Sequence, residues 1–154
     1  MREIGVMRKI SVLCTALALA GTMSACTVIR ELPPEERAGM PQNEESELCR
    51  ALLTAFLDND AETFLARLPE ETRRNFTKQH FQTTRGSVVE SMGEPISFQY
   101  VTDLELTAFT PHIWKIRFQR TDARTQEVFT SEALFRIITG RVDGKPVVIA
   151  FQFL

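Results

Sequence analysis

The stretch ISFQYVTDLEL, residues 96–106, decides the fold class. Ile96, Phe98, Tyr100, Thr102, Leu104 and Leu106 alternate with Ser97, Gln99, Val101, Asp103 and Glu105, the period of two expected of a strand with one covered face. The same period returns in Trp114, Ile116 and Phe118, set against Ile113, Lys115, Arg117 and Gln119. A loop at 107–111 closes the two as an antiparallel pair, and a symmetric closure predicts that Leu104 faces Trp114, Tyr100 faces Phe118 and Asp103 faces Lys115. Two further strands, 128–139 and 146–154, flank Val142, Asp143, Gly144 and Lys145. Asp-Gly is a strong hairpin signal because a type I′ turn needs positive φ at both central residues. A two-residue loop there places Arg136 beside Phe151 and Phe135 beside Gln152, so each face of that pair takes one polar side chain.

Upstream of Gly93 the period is helical. Leu48, Leu52, Ala55 and Phe56 recur at spacings of three and four, with Leu53 and Leu57 widening the stripe. Asp58, Asn59 and Asp60 end this helix and cap a second at 61–68, which stops at Pro69. A third runs over 77–92, with Phe81, Thr84 or Arg85, Val88 and Met92 on one face and Gly93 as its terminator. Helices followed by a four-stranded antiparallel meander give an α+β class.

Over residues 48–154 this pattern resembles the cystatin-like cone of the nuclear-transport-factor-2-like superfamily. The carrying features are Ala55 to Asp60 at the end of the first helix, Phe98 to Thr102 in the first strand and Trp114 to Phe118 in the second. The resemblance implies N-terminal helices packed on a curved four-stranded sheet, with a pocket between them in some members. It also includes isomerases and dehydratases whose pockets set Asp, His or Tyr groups against a substrate for proton transfer. On the inward-phased row the counterparts are Tyr100 and His112, with Trp114 and Phe118 as walls; Asp103 and Glu105 are expected to point the other way. Arg136 could hold an anionic ligand if its row faces the cavity, although a solvated cross-strand partner on the outer face is the simpler reading. His80 reads as a surface residue and Cys49, on the apolar stripe, as a buried thiol. The run Gln99 to Asp103 echoes the cystatin inhibitory loop but lies mid-strand without its glycine, so protease inhibition is set aside.

None of the eleven Phe, the one Tyr or the one Trp precedes Phe56, so the first 55 residues contribute little to a core. Residues 1–25 have the layout of an export signal: Arg8 and Lys9, an apolar run over 10–20, then small residues before a cysteine. That run is shorter than the roughly 20 residues a membrane helix needs. Met7 makes the more compact start, because residues 1–6 add little to the basic region. Met23-Ser24-Ala25-Cys26 resembles the lipobox of bacterial lipoproteins, with Met23 where leucine is usual. The resemblance implies diacylglyceryl attachment at Cys26, cleavage after Ala25 and fatty acylation of the new amino group, as with palmitate. Thr27, in place of the Asp that retains lipoproteins at the inner membrane, favours the outer membrane in a host that has one. Residues 26–47 then form the lipidated cysteine and an acidic tether with three Pro, six acidic and two basic side chains.

The chain of 154 residues is 44% hydrophobic and 25% charged, with a formal net charge of −2, which gives no electrostatic reason to expect nucleic acid. Three cysteines form no disulfide scaffold, and with two histidines they give no metal-ligand spacing, so neither metal nor cofactor is expected. The expected function is a lipid-anchored envelope protein, facing away from the cytoplasm, whose domain is a non-catalytic module for a small apolar ligand or another envelope component. The alternative is a pocket enzyme of the isomerase or dehydratase type using Tyr100 and His112.

Overall fold

The computed structural model describes residues 39–154. The export signal, the choice between Met1 and Met7, and Cys26 all lie outside the described residues. Four helices, α1 (Glu44–Leu57), α2 (Ala61–Ala66), α3 (Glu70–Asn75) and α4 (Lys78–Met92), precede four strands, β1 (Glu94–Asp103), β2 (Thr110–Thr121), β3 (Val128–Val142) and β4 (Lys145–Phe153). The strands form one antiparallel sheet in the order β1-β2-β3-β4. The architecture is the α+β, cystatin-like arrangement of helices on a curved antiparallel meander.

Helix α1 begins at Glu44, within the stretch read as tether. The Asn43 side chain accepts from the Ser46 amide at 2.8 Å, and Glu44, Glu45 and Glu47 occupy the first turn. Acidic side chains beside unpaired amides favour a helix start, so the charge density that looked like linker composition is helix-start chemistry. The first helix therefore starts four residues before residue 48, where its apolar stripe begins. Asp60 caps α2 by accepting from the Glu62 and Thr63 amides, as the Asp58 to Asp60 cluster predicted. Helix α2 closes at Ala66, and the short α3 was not anticipated because it buries no residue and so leaves no apolar period to read. Helix α4 has Thr77 as its N-cap and ends at Gly93, whose φ of 99° suits glycine. A Cβ at Gly93 would collide with the Gln119 carbonyl, so this glycine also lets β1 leave the helix directly against β2.

Two bulges change the register of β1 and β2. Tyr100 pairs with Trp114, Pro95 with Phe118 and Asp103 with His112, replacing the expected Leu104–Trp114, Tyr100–Phe118 and Asp103–Lys115 partners. The irregularities lie between Pro95 and Ser97 and between Tyr100 and Thr102. Each extra residue reverses the alternation that follows it. The ladder ends early: β1 stops at Asp103, and Leu104 and Leu106 are 55% and 52% exposed. The hairpin at Asp143 and Gly144 forms as expected, with φ of 51° and 77°. Further along the same pair, Ile138 meets Ala150 and Thr139 meets Val148, so Ile149 is an extra residue in β4. Beyond that bulge Phe135 pairs with Phe153, Ile137 with Phe151 and Arg136 with Gln152. The conflict on this pair disappears, since one face takes the aromatics and the other the polar side chains.

The core lies between α1, α2, α4 and the sheet. Leu52, Leu53, Phe98, Trp114, Ile116, Phe118 and Ile137 are buried there, and Trp114 meets Phe98 and Tyr100 edge-on at 5.6 and 5.4 Å between ring centroids. Cys49 is also fully buried, and desolvation first, then the Glu45 carboxylate, push its thiol pKa well up. It is a structural thiol, as its place on the stripe suggested.

Candidate functional site: a phenylalanine-lined cavity

Four phenylalanines from the helical layer, Phe56, Phe64, Phe76 and Phe81, oppose three from the sheet, Phe135, Phe151 and Phe153, around a cavity of about 210 Å³. The rings meet mainly edge-on or tilted: Phe64 with Phe81 at 4.9 Å, Phe64 and Phe76 each with Phe151 at 5.3 Å, and Phe135 with Phe153 at 4.8 Å. Rigid rings in such contacts cannot bend to fill a gap as methionine or leucine can. The space they leave is apolar and partly open to solvent, a setting that accepts small hydrocarbons.

Polar groups stand only at its edge. Arg85 projects from α4, and its Nε donates to the Phe56 carbonyl at 3.0 Å. Its Nη2 donates to the Leu57 carbonyl at 3.2 Å and to Glu94 at 2.8 Å. The guanidinium thus satisfies the carbonyls at the end of α1, is neutralised by Glu94 and lies 5.9 Å from the Phe56 ring. Thr84 and Gln152, both exposed, complete the rim. A second concavity of about 690 Å³, lined by residues including Glu44, Glu47, Arg50, Arg67 and Lys145, is a wide charged groove in which Arg50 pairs with Glu47 along the helix.

The side chains singled out from sequence lie elsewhere. Tyr100, His112, Trp114 and Phe118 share the helix-covered face of the sheet, but Trp114, Phe118 and His112 are all 0% exposed and none of the four lines the cavity. Arg136 is on the other face, between Ile113 and Gln152, the simpler of the two readings of its row, and does not line the cavity. Its Nε is buried without a partner among the described residues.

His112 is fully buried. It sits inside β2, its Nε2 2.9 Å from the Thr139 hydroxyl. The Glu45 carboxylate lies 3.9 Å away and also receives Arg141 at 3.0 Å. The bulge after Tyr100 turns Asp103 to the same face, opposite His112, where sequence alternation had excluded it. Burial pushes the Tyr100 hydroxyl up to about 12, with Asp103 adding to the shift. Burial lowers the His112 pKa more than Asp103 and Glu45 raise it, so the folded state holds a neutral imidazole.

The pH consequence has a definite sign. Because the His112 pKa is lower in the folded than in the unfolded chain, the unfolded state binds the extra proton as pH falls below about 6.5, and stability declines through that range. Urea unfolding at pH 7.5 and pH 5 is expected to show a smaller loss for His112→Gln than for the parent. Equal losses would mean that His112 does not contribute.

The cavity escaped the sequence reading for two reasons. Its helical phenylalanines look like ordinary core positions, and its sheet phenylalanines fall on the pair whose facing depends on the Ile149 bulge. The one available signal was phenylalanine abundance with few aliphatic residues between positions 61 and 81.

No protein-family model matches the sequence, and no curated protein does. Among solved structures, the chain is similar to a ketosteroid isomerase-like protein from Erwinia carotovora atroseptica, with 13% identity and a TM-score of 0.51 over 70% of this chain and 90% of the other. It is also similar to a SEC-C motif containing protein from Rhodopseudomonas palustris, with 13% identity and a TM-score of 0.52 over 72% and 79%. A protein with a cystatin-like fold from Nostoc punctiforme matches with 10% identity and a TM-score of 0.47 over 71% and 86%. At these identities the likeness is one of fold, and function rests on the site itself.

Proposed function

We propose that this chain is a lipid-anchored envelope protein whose domain holds a small, neutral, apolar ligand in the phenylalanine-lined cavity. The observation that carries the reading is about 210 Å³ of space walled by seven aromatic rings, with its one rim cation already neutralised by Glu94. A charged ligand would find no unpaired counter-charge there, whereas an unsaturated or short aliphatic molecule loses only its contact with water. The anchor rests on the Met23 to Cys26 lipobox and the basic and apolar segments before it.

Naphthalene is a suitable probe. Ten carbon atoms at roughly 0.7 kcal/mol each give a dissociation constant on the order of 10 µM. Calorimetric titration is expected to show saturable one-to-one binding. Thr84→Trp, which sets an indole at the exposed rim, is expected to weaken it at least tenfold while leaving urea unfolding unchanged. Absence of saturable binding by the parent would overturn the reading.

A second reading, proton transfer of the isomerase type, has one specific observation in its favour: Asp103 joins Tyr100 and His112 on one face. Against it, His112 has no exposed surface through which a substrate could reach the ring.

A further inference from the structure

The end of the sheet that carries the β1–β2 loop and the β3–β4 turn is also the end at which the chain enters the domain. Asn43 caps α1, and the next turn is fastened to that end of the sheet, where Glu45 accepts from Thr139 at 3.3 Å and from Arg141 at 3.0 Å. Five of the ten large apolar side chains that stand exposed among the described residues lie there. Leu104, Leu106 and Phe109 on the loop are 55%, 52% and 40% exposed, and Val142 and Ile149 on the hairpin are 58% and 52% exposed. The two tips form one surface: Gly140, bare of a Cβ, lets the Ile149 side chain lie across β3 beside the Ala108 carbonyl.

From these observations we infer that this end of the domain docks on the lipid surface to which Cys26 is anchored, with Leu106 and Phe109 entering the headgroup layer. The inference rests on the proposed lipid anchor. Asn43 lies seventeen residues after Cys26, so even a fully extended connection keeps this end within about 60 Å of the bilayer. Tethering at that range gives an effective concentration on the order of millimolar, at which a weak apolar partition is populated. Two hairpin tips also suit insertion better than pairing, since a stable protein interface needs about 800 Å² on each partner. The surface is not basic: Arg141 is paired with Glu44 and Glu45, and Glu105 and Asp143 flank the apolar side chains. Docking is therefore apolar in origin and requires no anionic lipid.

The test uses the lipidated full mature protein in phosphatidylcholine vesicles, with an environment-sensitive fluorophore on Leu106→Cys and, as the distal control, on Ala123→Cys in the β2–β3 connection. Cys26 is blocked by lipid and Cys49 is buried, so each label has one site. The Leu106→Cys probe is expected to lose at least fivefold in iodide quenching relative to the Ala123→Cys probe, and to be quenched by a nitroxide on the lipid chain. Equal iodide quenching at both sites, or no quenching of the Leu106→Cys probe by the nitroxide on the lipid chain, would overturn docking. Intact mass measured on the same sample separates the two ideas. A lipid mass gain at Cys26 with an unshielded loop defeats docking alone, whereas absence of that gain defeats the anchor and docking together.

Discussion

Replacing Trp114 by alanine is expected to lower the unfolding free energy by about 3–5 kcal/mol, the range for truncating a large buried aromatic. Trp114 is 0% exposed at the centre of β2, edge-on to both Phe98 and Tyr100 and paired across the sheet with Phe135. Its removal opens space between α1 and the sheet that rigid neighbours cannot close. Small domains are stable by about 5–15 kcal/mol, so the loss is a large share of the total. At a urea slope of about 1–3 kcal/mol/M the midpoint should fall by at least about 1 M. Trp114→Phe separates packing from hydrogen bonding. The indole Nε1 is buried without a partner among the described residues, so phenylalanine removes an unmet donor as well as some volume and should cost much less than alanine. Equal losses for the two variants would show that the indole N–H, rather than ring volume, matters at this position.

Element type was readable in the sequence, while facing was not. Alternation from Ile96 onward and the Asp143-Gly144 turn gave the four-stranded meander, and the spacings of Leu48, Leu52 and Phe56 gave the first helix. What failed depended on single extra residues. The bulge after Tyr100 reverses Asp103, and the one at Ile149 sets Phe151 and Phe153, rather than Gln152, on the face that Phe135 shares with Trp114. A bulge leaves no compositional mark, because the residue added to β1 or β4 is as apolar as its neighbours. The candidate site followed from these facings: Trp114 and Phe118 were correctly placed inward but belong to the packed centre, and the open space lies beside the phenylalanines of β3 and β4. His112 was likewise read on the inward row, and it is there, but buried against the Thr139 hydroxyl rather than open to a pocket.

Cys26→Ser is the other large effect. Two acyl chains of roughly 15 methylene groups each, at about 0.8 kcal/mol per group, represent on the order of 20 kcal/mol of burial, so a lipidated chain does not leave the membrane on any experimental timescale. On the proposed anchoring, the parent should sediment wholly with membranes, and the serine variant should be released in soluble form or accumulate as uncleaved precursor. These products differ in mass, which distinguishes loss of lipid from loss of processing. No helix among the described residues is long and apolar enough to cross a bilayer, so a helix there would not mask the result. Unchanged fractionation of the serine variant, with no lipid mass on Cys26 in the parent, would refute the anchor.

Ligand capture between the two phenylalanine layers is the central claim, and intermolecular nuclear Overhauser effects from bound naphthalene test it most directly. Contacts should run to the rings of Phe64, Phe76 and Phe81 on one side and Phe135 and Phe151 on the other, with none to Trp114 or Tyr100. A naphthalene that contacts only the exposed loop side chains Leu104, Leu106 and Phe109, or the Tyr100 edge of β1, would contradict the account.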